Sequence, residues 1–177
     1  MGLDSIEWLA QHLNGPKVAN YEQQFVDGGE KDIPAWEVRC ACFASMETDL
    51  EKALAALLVW GHKEQNAYDY VRKHLANSMI KEAQKKNLYP KNISLKSLAW
   101  LVARMVIEFA LDPELEEIYT KKGRLYFAGI KAHQMTCDAY RKTWREFEII
   151  MELILVTTHH NICSLIEKYR RELKKAA

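Results

Sequence analysis

From residue 34 onward the chain alternates apolar and polar positions with the three-to-four-residue repeat of helices that bury one face. A first such run starts at Pro34, a favoured first-turn residue, and continues through Trp36, Val38, Cys42 and Phe43. In "METDLEKALAALLVWG", Thr48 stands three before Glu51, which is a capping box. Leu50, Leu54, Leu57 and Leu58 form the stripe behind it, and Gly61 is the predicted stop. Residues 63–86 set Tyr70, Val71, Leu75 and Ile80 against lysines and arginines. "NLYPKN" breaks that helix, Ser94 is placed to cap the next, and residues 95–111 are apolar on nearly all sides, as a central core helix would be. Upstream, short helices are expected over 4–13 and 16–26, and "VDGGEKDIP" at 26–34 reads as a linker.

The last third carries the strongest pattern. Asp112-Pro113 is a cap and first turn for a helix expected over 113–128, ending at Gly129. Thr136 then caps a helix whose Tyr140, Trp144, Phe147, Met151 and Ile154 share one narrow arc. Asp138, Arg141, Lys142 and Arg145 fall on the opposite arc. "TTHHN" at 157–161 holds poor helix formers, so a kink or a restart at Asn161 is expected there. The fold class is all-α: a compact multi-helix domain with a helix-turn-helix at about 113–151 and a long C-terminal helix. Residues 1–33 form an acidic helical segment and linker, and residues 34–177 the helical domain.

Charge sharpens this picture. The net charge is only +1, yet residues 1–60 carry −6 and residues 61–177 carry +7. The densest basic stretch is 121–146, with Lys121, Lys122, Arg124, Lys131, Arg141, Lys142 and Arg145 against Asp138 and Glu146. A basic face on a helix that follows a glycine turn suits entry into a DNA major groove, or it is simply a solvated face. In the first reading Arg141 and Arg145 read bases, because arginine can bond two guanine acceptors at once. Lys121, Lys122 and Arg124 then hold the phosphate backbone. The acidic front would repel phosphate and is not expected to touch DNA.

Other chemistries find little support. Hydrophobic residues make up 49% and charged residues 28%, a globular balance. No H-E-x-x-H, E-x-x-H, G-x-S-x-G or P-loop pattern occurs, so no enzyme activity and no cofactor are expected. Cys40, Cys42, Cys137 and Cys163 include no C-x-x-C pair and read as reduced, buried thiols. His159 and Cys163 stand one helical turn apart beside His160, which is too few ligands for a structural metal, and packed or surface histidines are expected. Met1-Gly2 lacks the Ser or Thr of a myristoylation signal at Ile6, and "IIMELILV" is far short of the roughly 20 residues of a membrane span. A cytoplasmic protein is the expectation.

Three segments in this order carry a resemblance: "CACFASMETDLEKALAALLVWG", "KNLYPKNISLKSLAWLVARMVIEFAL" and "MTCDAYRKTWREFEIIMELILVTTHHNICSLIEKYRREL". Across about residues 40–170 the chain resembles the late antitermination protein Q family of lambda-like bacteriophages. The resemblance implies an all-helical protein that binds duplex promoter DNA, contacts the sigma factor and RNA polymerase, and modifies elongation in a bacterial host. It places the recognition helix at 136–147, with Arg141, Lys142 and Arg145 on DNA. Lambda-type members carry a zinc-binding region with two C-x-x-C pairs before the last helices; here "LDPELEEIYTKKG" stands in that place without a cysteine. The alternative from another class is a structural or adaptor bundle with no DNA-binding role.

Overall fold

The computed structural model describes residues 2–11, 13, 35–119 and 123–176, all of whose regular elements are helical. The α-helices are α1 (Gly2–Ala10), α2 (Ala35–Ala44), α3 (Asp49–Trp60), α4 (Gln65–Lys85), α5 (Leu95–Leu111), α6 (Pro113–Ile118), α7 (Gly123–Ala128), α8 (Cys137–Ala139) and α9 (Arg145–Ala176), with a 3-10 turn at Gly61–Lys63. A π-turn over Tyr140–Trp144 joins α8 to α9 without a break. The expected helix at 16–26 and linker at 26–34 lie outside the described residues.

Local chemistry sets most boundaries. At α3 the Thr48 side chain accepts from the Glu51 amide at 3.1 Å while the Glu51 carboxylate accepts from the Thr48 amide at 3.0 Å. Gly61 ends this helix at φ 62°, a left-handed conformation that costs glycine little. Ser94 caps α5, Asp112 caps α6 with Pro113 at its first position, and Thr136 caps α8.

The bundle closes around two elements. Helix α5 packs along α4 and also meets α6, α7 and α9. Helix α9 lies against α1, α3, α4 and α5. Val71, Leu75, Leu98, Val102, Phe147 and Met151 are fully enclosed between them. Helix α1 contributes Ile6 and Leu9 to the same core, and Arg39 of α2 lies 3.4 Å over the Trp8 ring.

Two expectations are corrected. The single helix over 113–128 is two, because the chain turns at Tyr119. That turn brings Tyr119 within 4.8 Å of Phe127, which itself stacks on Phe109 at 4.9 Å. In one straight helix Tyr119 and Phe127 would stand about 12 Å apart along the axis. The second correction concerns "TTHHN", where α9 runs through unbroken and Asn161 caps nothing. The Thr158 hydroxyl donates to the Ile154 carbonyl at 2.7 Å, and Ile162 and Ile166 are buried beyond it. Tertiary burial overrides weak local propensity.

Between α7 and α8 lie residues 129–136, a longer connection than the about 3–4 residues of a compact helix-turn-helix. The continuous helix Cys137–Lys175 contains a window of mean hydropathy 1.5, apolar enough by length and composition to cross a membrane. Only 33% of that window is buried: α9 gives one face to this core, with the enclosed carboxylate of Glu148, and leaves another exposed.

Candidate nucleic-acid interface

The basic stretch divides into an inner and an outer set. Inside, Glu148 is fully buried and gathers three donors. Arg124 Nε donates to its Oε1 at 2.9 Å, the Tyr140 hydroxyl donates to its Oε2 at 2.6 Å, and Arg145 pairs with it one turn away. Arg124 also binds Glu116 of α6 at 2.8 Å and approaches Glu152 at 3.6 Å. Burial alone would lower the Arg124 pKa, but its bond to Glu116 and the charge of Glu148 outweigh that and raise it. Burial, reinforced by the Glu148 charge and hydrogen bond, drives the Tyr140 phenol well above its ordinary value, so it stays a donor. This network ties α6 and α7 to α9.

The π-turn serves the same network. Tyr140, Trp144 and Glu148 are all buried although each is four residues from the next. Two steps of four drift about 80° around a helix of 3.6 residues per turn. The wider turn, closed by the Arg145 amide on the Tyr140 carbonyl, absorbs that drift.

Two expected DNA contacts are therefore corrected. Arg124 is buried and engaged with carboxylates, so it is not presented to a ligand. Arg145 is only partly exposed and spans Glu148 and Glu152, rather than standing free on the arc opposite the core. Lys121 and Lys122 lie outside the described residues. The expectation of buried thiols holds for Cys42 and Cys163, while Cys40 and Cys137 are exposed, and none of the four is in a disulfide. Burial lifts the Cys42 thiol to about 11, against the nearby Arg39 charge. His159 Nε2 lies 3.6 Å from Cys163 Sγ, and no group of three candidate metal ligands occurs among the described residues.

The outer set is Lys131, Arg141 and Lys142, all exposed. Lys131 starts the turn before α8, where its amide donates to Gln134 Oε1 at 3.0 Å and its carbonyl accepts from Gln134 and Met135. Ile130 and Met135 anchor the two ends of that turn in the core. Arg141 pairs with Asp138 at 3.3 Å, with both side chains mostly in solvent. Such a pair contributes little and can be exchanged for a phosphate.

The fold brings a second basic segment beside this one. Lys86, at the end of α4, pairs with Glu146 at 2.6 Å, and Asn92 Nδ2 donates to the His133 carbonyl at 3.0 Å. Lys85 at the end of α4 and Lys86 and Lys91 in the connection to α5 are exposed, and these two contacts set that segment beside the one that carries Lys131, Arg141 and Lys142; Lys85 itself is paired with Glu82 at 2.6 Å. Sequence reasoning missed these three lysines because their proximity is tertiary. It also missed Glu148, which at a regular 3.6-residue repeat falls about 80° from Tyr140, off the apolar arc, and is brought into the core by the π-turn. Comparison with protein-family models, curated proteins and solved structures finds no match for this chain.

Proposed function

We propose that this chain is a non-enzymatic, cytoplasmic protein that grips duplex DNA through the surface formed by Lys131, Arg141, Lys142 and the α4–α5 lysines. In keeping with the resemblance to the phage Q family, it acts as a transcription antitermination factor that meets promoter DNA, sigma factor and RNA polymerase in a bacterial host. The observation that carries the DNA reading is the convergence of two basic segments, distant in sequence, through the contacts of Lys86 with Glu146 and of Asn92 with His133. Lysines on both segments suit phosphates on the two sides of a groove. Arg141, in the first turns of the long helix, is the side chain suited to a guanine edge.

A second reading rests on a different surface. Ile149, Leu153 and Val156 form an exposed apolar stripe on α9 at helical spacing, with 51%, 63% and 65% of each residue exposed. Such a stripe suits a protein partner, either polymerase or the neighbour of a structural adaptor. The two readings separate in a titration of the Arg141→Ala and Lys142→Ala variants against duplex DNA. Arg141→Ala should flatten the preference between a cognate promoter and random duplex by about 1–3 kcal/mol. Lys131→Ala and Lys142→Ala should weaken both duplexes about equally. No retention of the unsubstituted protein on duplex DNA at low salt would leave the adaptor reading standing.

A further inference from the structure

Across the α4–α5 seam, about two to four helical turns before Lys86, lies an open groove of about 440 Å³. This falls within the roughly 300–1,000 Å³ of ligand-sized pockets. Its floor is apolar, from Ala76 and Ile80, and Asn77 and Ser97 supply hydrogen-bonding groups. Lys73 stands on one rim and Lys96 on the other, and among the described residues no carboxylate lines it. Trp100 closes one end with 38% of its surface exposed. The Arg72 guanidinium lies 4.2 Å from the indole centroid, and Arg72 Nε donates to the Trp100 carbonyl at 3.1 Å, so the ring is held in place from one side. The groove opens at the first turn of α5, the positive end of a 17-residue helix.

We infer that this groove is a binding site for single-stranded nucleic acid, with one base stacked on Trp100 and its phosphates between Lys73 and Lys96. A buried core gains nothing from an indole left partly in water, whereas an exposed aromatic between cations matches the stacking platform and electrostatic funnel of single-strand binders. Charge selects the ligand. A neutral or cationic apolar partner would leave Lys73 and Lys96 unanswered, while a nucleotide offers a flat ring to the apolar floor and an anion to both rims. Asn77 and Ser97 can bond base edges of any sequence, so little sequence preference follows.

The experiment measures fluorescence anisotropy with a labelled oligothymidylate of about 12 nucleotides, and in parallel with a labelled duplex. Trp100→Leu, and separately the Lys73→Glu/Lys96→Glu pair, should each weaken oligothymidylate binding about tenfold or more while leaving duplex binding within about threefold. Trp100→Phe, which keeps a stacking ring, should retain most of the affinity. Arg141→Ala/Lys142→Ala should do the reverse and lower duplex affinity alone, so this site and the duplex surface fail separately. An oligouridylate of the same length tells whether the strand taken is RNA or DNA, and preference for either supports the groove. Circular dichroism checks each fold, and the two charge reversals on the exposed rims carry the test if Trp100→Leu unfolds. Oligothymidylate binding indifferent to the lysine pair, or lost together with Arg141 and Lys142, would overturn the assignment.

Discussion

Glu148→Ala is expected to lower stability by about 3–5 kcal/mol, a large share of the 5–15 kcal/mol that holds a domain folded. The reason lies in what remains rather than in what is removed. Arg124 and Tyr140 are buried with Glu148 as shared acceptor, and alanine leaves the hydroxyl without that acceptor and a guanidinium short of counter-charge. Arg145 loses its closest carboxylate as well. Glu148→Gln, which keeps the volume and one acceptor oxygen, should cost less than alanine. Urea unfolding followed by circular dichroism measures both. A loss within about 0.5 kcal/mol, the level of an ordinary surface change, would mean that water reaches the cluster.

Trp144→Ala should cost a comparable amount, about 3–5 kcal/mol, while Arg141→Ala stays within about 0.5 kcal/mol. The two residues are three apart on the π-turn, but one is buried and the other is in solvent. Trp144 is 4% exposed and its ring lies 5.7 Å from that of Phe147, whereas Arg141 reaches into solvent. Truncating Trp144 opens a cavity beneath the turn that presents Arg141 and Lys142. DNA binding should therefore fall in this variant in proportion to the fraction unfolded. The same unfolding curves decide it: equal costs at Trp144 and Arg141 would mean that the segment is wound in another phase.

What was legible in the chain was what a few neighbouring residues decide. The box of Thr48 and Glu51, the caps at Ser94, Asp112 and Thr136, and the apolar arc of the last helix are short-range arrangements that the structure reproduces. The all-α class followed from them. Long-range packing set the rest. Gly123 is the one local signal between α6 and α7, and the turn at Tyr119 is set by aromatic rings on α5 and α7. No propensity carries a helix through "TTHHN"; burial of Thr158 and Ile162 does. At the candidate site, Arg141, Lys142 and Lys131 were legible as exposed cations, since nothing on the apolar arc claims them. Arg124 and Arg145 were not, because a glutamate that reads as surface is enclosed and draws both toward the core.

The central claim is that duplex DNA is held by charge on the surface joining the turn before α8 to the α4–α5 connection. Its most direct test is the affinity for a random duplex as a function of salt. About four phosphates neutralised there would give a slope near −3.6 in log affinity against log salt, so affinity should fall about 150-fold between 50 and 200 mM. The Lys131→Ala/Lys142→Ala variant should make that slope shallower by about 2 without disturbing the fold. A duplex affinity that does not respond to salt, or a slope that this variant leaves unchanged, would contradict the account.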